Sequence, residues 1–132
     1  MHTEIPMKIR RGEGPAAVEP ITIPELFLKN VREAPSKIAM EVERQNKWVK
    51  WTWTRFYNEA ANFGKALMAL RVEERRCVNI IGFNSPEWII AFIGSILAND
   101  VPSGVYPTNK PEACLDIVKL ANPAVIVMEN KA

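Results

Sequence analysis

At 132 residues the chain fits one small domain or part of a larger one. Apolar residues make up 48% and charged residues 24%, close to the globular average, which excludes wholesale disorder. A net charge of +2, with no basic stripe interleaved with aromatics, gives no ground for a nucleic-acid partner. Cys77 and Cys114 fall on predicted core faces without paired spacing, so a reduced, intracellular protein is the simpler reading. The amino terminus, MHTEIPMKIRRGEGP, lacks the apolar stretch of a signal peptide.

Residues 1–20 carry Pro6, Gly12, Gly14, Pro15 and Pro20 without periodicity and read as a flexible tail. Its cluster Lys8, Arg10, Arg11 could touch an anionic membrane, but a solvated tail is the preferred reading. Thr22-Ile23-Pro24-Glu25 has the form of a capping box. Ile23, Phe27 and Val31 follow at helical spacing, which predicts a helix from 23 to about 33, ended by Pro35 and Ser36. Ile38, Met40 and Val42 then alternate with Ala39, Glu41 and Glu43, the period of a half-buried strand. Residues 44–46 turn the chain, and Val49, Trp51 and Trp53 alternate with Trp48, Lys50 and Thr52, which completes a β-hairpin.

Thr54 opens the most regular helix, with Phe56, Ala60, Phe63, Leu67 and Leu70 in one apolar stripe. Gly64 within it costs about 1 kcal/mol against alanine, so a close neighbour is expected there. A charged link, 71–76, leads to Cys77–Phe83, an apolar run suited to a strand buried on both faces. Asn84 and Ser85 stop it. Pro86 suits a first helical position, Ser85 the N-cap, and Glu87 the positive end of the helix dipole. Residues 88–98 leave that helix no wet face, yet the run falls short of the ~20 apolar residues that span a bilayer. It is a core helix.

Asn99 and Asp100 end it, and Val101–Tyr106 resumes as a strand, parallel to the first across the helical crossover. After a turn at 107–110, Pro111 and Glu112 repeat the helix-start chemistry, and Ala113, Cys114, Ile117, Val118 and Ala121 make the buried face. Asn122-Pro123 breaks the helix, and Ala124–Met128 is a third strand. The chain is therefore α/β: helix, hairpin and helix, then a β-α-β-α-β half of a doubly wound parallel sheet.

Chemistry is sparse. His2 is the only histidine and lies in the tail, so a Ser-His-Asp arrangement is not available, and a single histidine excludes a histidine metal cluster. Neither G-x-G-x-x-G nor G-x-x-x-x-G-K-S/T occurs, so no glycine-rich turn cradles phosphate. Glu41 and Glu43 read as the wet side of their strand. Asn84 and Ser85, and at the next strand Tyr106, Thr108 and Asn109, sit at the carboxyl edge of the sheet, where such folds bind ligands. Helix capping alone accounts for Ser85. Trp48, Trp51 and Trp53 could form a binding platform, but hairpin packing is the commoner use of such residues. No catalytic, cofactor-binding or metal-binding residue is assigned.

GFNSPEW followed by an apolar helix and then GVYPTNKPEAC resembles the amino-terminal region of bubblegum-type long-chain acyl-CoA synthetases, members of the adenylate-forming enzymes. RQNKWVKWTWTRFYNEA and AVIVMEN are similar to that family's hairpin and third strand, so the resemblance covers roughly residues 20–130. It implies a large-domain fold of which 21–132 is an incomplete amino-terminal portion. It also implies a reaction in which a long-chain fatty acid and Mg-ATP give an acyl-adenylate that coenzyme A then converts to acyl-CoA. The family's phosphate loop, metal-binding Thr-Glu pair and carboxyl-terminal lysine have no counterpart here, so the chain alone is expected to bind no cofactor and to be inactive. A cytoplasmic location is expected, with peripheral contact on the endoplasmic reticulum membrane left open. Asn99-Asp100, Arg71, Pro102 and Pro107 depart from the family pattern, Arg71 standing where a glycine often follows the helix. A second reading stays open: a truncated stand-alone interaction protein that pairs through an exposed sheet edge.

Overall fold

The computed structural model describes residues 20–129. The expectations for the tail, including His2, Lys8, Arg10 and Arg11, fall outside them.

The first helix, α1 (Ile23–Glu33), starts with the expected capping box. Thr22 Oγ1 accepts the Glu25 N–H at 3.3 Å, and Glu25 Oε2 accepts the Thr22 N–H at 2.8 Å. Strands β1 (Ile38–Arg44) and β2 (Lys47–Thr52) form the antiparallel hairpin. Its two-residue turn places Gln45 and Asn46 at φ 52° and 60°, a pair of positive φ values that matches the twist of the strands. The pairing shifts between Ile38 and Met40. This irregularity overturns the simple alternation: Ile38 is exposed, and Ala39 joins Met40 and Val42 against the core.

The helix α2 (Trp53–Ala69) begins earlier than expected. Thr52, still extended, caps it by accepting the Arg55 N–H at 3.2 Å, while the Thr54 hydroxyl donates to the Pro35 carbonyl instead. Trp53 is therefore helical, with its ring 6.0 Å from that of Phe27 and 6.1 Å from that of Phe56. The apolar stripe holds through Leu67, but Leu70 lies past the helix end and is exposed. There the chain closes a Schellman turn: the Arg71 N–H donates to the Met68 carbonyl and the Val72 N–H to the Leu67 carbonyl. Arg71 takes φ 57°, a glycine conformation held by an arginine.

Strands β3 (Cys77–Ile81), β4 (Val101–Val105) and β5 (Val125–Met128) form one parallel sheet in the order β4-β3-β5. The connecting helices are α3 (Pro86–Leu97) and α4 (Pro111–Ala121). The path runs from β3 to β4 and then back past β3 to β5, so right-handed crossovers put α3 and α4 on opposite faces. Val78 and Ile80 of β3, with Val125 and Val127 of β5, pack with Leu67 of α2 and Ala91 of α3. A second cluster joins Phe27, Trp51, Phe56 and Ala60 to Ile90 and Ile93. α3 is thus enclosed by α2, the hairpin and the sheet, and only Glu87 of its residues is exposed. It ends in a second Schellman turn at Asn99, φ 65°.

The other face is less covered. α4 packs mainly on β3 and β4 and has no fully buried residue. Of its expected face, Cys114, Ile117, Val118 and Ala121 are half-buried and Ala113 is exposed. Among the described residues only β3 is a buried strand, because β4 and β5 flank it on either side.

Candidate functional site

All three parallel strands release the chain at the same end of the sheet. The chain runs from β3 out to β4 and then back past β3 to β5, so the strand order reverses between β3 and β5, the topological switch point where open α/β sheets leave a crevice. A cleft of about 390 Å³ lies there. Ile80, Ile81, Val127 and Met128 supply its apolar lining, together with Trp88 from the first turn of α3.

Its polar groups are already engaged. Ser85 Oγ accepts the Trp88 N–H at 3.1 Å and so acts as the expected N-cap. Glu87 receives two hydrogen bonds from Arg44 of the hairpin, at 2.8 and 2.6 Å. That guanidinium holds the Glu87 carboxyl below the usual carboxylate range, against an opposing push from partial burial. Glu129, just past β5, accepts the Phe83 N–H at 2.9 Å. Gly82 permits this approach, because a Cβ there would stand 3.1 Å from that of Glu129.

A second cleft, about 330 Å³, opens between the ends of β3 and β4 and is lined by Asn84, Gly104 and Tyr106, with Trp88 forming the wall between the two. Of the residues singled out at this edge, Ser85 lines the first cleft, Asn84 and Tyr106 line the second, and Thr108 and Asn109 line neither. The tryptophans are not a platform. Trp51 is buried, donates its indole N–H to Glu59 at 2.8 Å and carries Arg55 over its ring at 4.3 Å. Trp48 is exposed and Trp53 belongs to α2. Glu41 and Glu43 are exposed on the hairpin, Glu41 within 3.6 Å of Lys50. Burial pushes the Cys77 thiol up, away from the thiolate form a nucleophile requires.

Two residues of the first cleft escaped the sequence. Arg44 is brought to Glu87 across 43 positions, a pairing with no local signal. Glu129 had one: it follows the third parallel strand at its carboxyl end.

Residues 27–132 match the AMP-binding enzyme family. The chain belongs to that family. It is 35% identical over 117 residues to the long-chain-fatty-acid–CoA ligase ACSBG2 of Mus musculus, covering 89% of this chain and 18% of the relative. It is 36% identical over 125 residues to ACSBG2 of Gallus gallus, covering 94% and 16%. Against ACSBG1 of Rattus norvegicus the figures are 30% over 112 residues, 85% and 16%. The resemblance to bubblegum-type ligases therefore holds, and the chain spans less than a fifth of the length of these relatives. Among solved structures it superposes on IdnL1 with a TM-score of 0.77 at 18% identity, covering 86% of this chain and 24% of that one. The fatty acid AMP ligase of Legionella pneumophila gives 0.71 at 17%, covering 78% and 18%. These likenesses establish the fold as that of the amino-terminal part of adenylate-forming enzymes.

The residues described do not fit a triphosphate with its magnesium. Among the described residues, Arg44 is the single cation lining the two clefts, and it is already bound to Glu87. Among the described residues, no three His, Cys, Asp or Glu side chains come together as a metal site.

Proposed function

We propose that this chain is the amino-terminal scaffold of a long-chain fatty acid–CoA ligase and does not itself form acyl-CoA. The observation that carries the reading is a contrast. The shared fold is present through β5 with a closed core around α3, while the described residues of the carboxyl-edge clefts offer no free cation to a phosphate. In the whole enzyme the carboxylate of the fatty acid attacks the α-phosphorus of ATP, diphosphate leaves, and the coenzyme A thiolate then displaces AMP from the acyl-adenylate. That sequence needs the triphosphate held, its charge offset and the carboxylate aligned. This chain's part is to hold the strands and helices on which the remaining segments build that site.

The reading extends to a reducing, cytoplasmic setting at a membrane surface. Cys77 and Cys114 are both free, and among the described residues no helix is long and apolar enough to cross a membrane. The test is an assay coupling palmitate, ATP and coenzyme A to AMP release, run on the purified 132-residue chain. Silence is expected. AMP formation above a heat-killed control overturns the reading.

A further inference from the structure

We draw no further inference here: the strongest candidate, the apolar groove of about 220 Å³ where Leu28 of α1, Tyr57, Ala61 and Met68 of α2 and Leu97 of α3 meet, is an unpartnered face, and nothing in the structure shows what covers it.

Discussion

Gly94 of α3 lies against the Ala60 carbonyl of α2 so closely that a Cβ at position 94 would stand 2.5 Å from that oxygen. It would also stand 2.9 Å from Cδ1 of Phe63. Gly64 reciprocates from α2, where an added Cβ would meet the Gly94 carbonyl at 3.0 Å. The two helices are locked by main chain against main chain. Gly94→Ala is therefore expected to lower stability by about 1–3 kcal/mol, the range for overpacking a close-packed core. Gly64→Ala sets about 1 kcal/mol of helix propensity against its gentler approach and should stay near the parent. Urea midpoints at an unchanged m-value measure both, and equal losses would mean the helices separate easily.

The elements legible in the sequence are those decided within a few residues. Thr22 and Glu25 announce α1, and Ser85 with Pro86 announces α3, because a cap and the amide it serves lie three positions apart. Gly64 showed that something approaches α2, but not that the neighbour is Gly94. The sequence points to Thr54 rather than Thr52 as the helix start because Trp51 and Trp53 fit a strand's alternation as well as a helix's first turn. Ala39 turns inward only because the pairing with β2 slips, which is a property of two strands. At the site, the carboxyl edge was legible from strand order alone, whereas Arg44 and Glu87 meet only once the hairpin docks on α3.

Ser85 should behave as a cap. Its Oγ serves the Trp88 N–H, so Ser85→Ala is expected to lose about 1 kcal/mol and Ser85→Gly only a few tenths. Chemical denaturation of the two variants checks the order. Equal losses would assign the hydroxyl a role other than capping.

Arg71 holds φ 57° at the turn that closes α2. An L-residue in that conformation carries about 1–2 kcal/mol of strain, partly offset on substitution by the freedom glycine gains when unfolded. Arg71→Gly should thus raise stability by a few tenths to about 1 kcal/mol. Asn99→Gly should gain less, because asparagine tolerates the conformation and its Nδ2 donates to Glu74 at 3.0 Å. Thermal midpoints of the pair provide the comparison.

Glu87 links the fold to acid. Its carboxyl is held low by Arg44, so the unfolded chain binds its proton more readily than the folded one. The stabilisation is complete above the ordinary carboxylate range and fades as pH falls through the lowered folded value. Glu87→Gln should be slightly less stable than the parent at neutral pH, by less than about 1 kcal/mol because both side chains are about half exposed and screened by solvent. The difference should vanish in acid. Unfolding free energies across a pH series test this, and a gap that widened on acidification would reverse the sign.

The strand order β4-β3-β5 also sets a timetable for synthesis. β3 leaves the ribosome with neither neighbour made, and its partner on one side is completed only when Met128 has been added, 47 residues after Ile81. At about 5–20 residues per second the wait is on the order of 2–10 s. The hairpin and α2 are by then complete, and α3, the most apolar helix, has a surface on which to settle before its sheet exists. Within this stretch the core around α3 can therefore begin to form before the three-stranded sheet is complete.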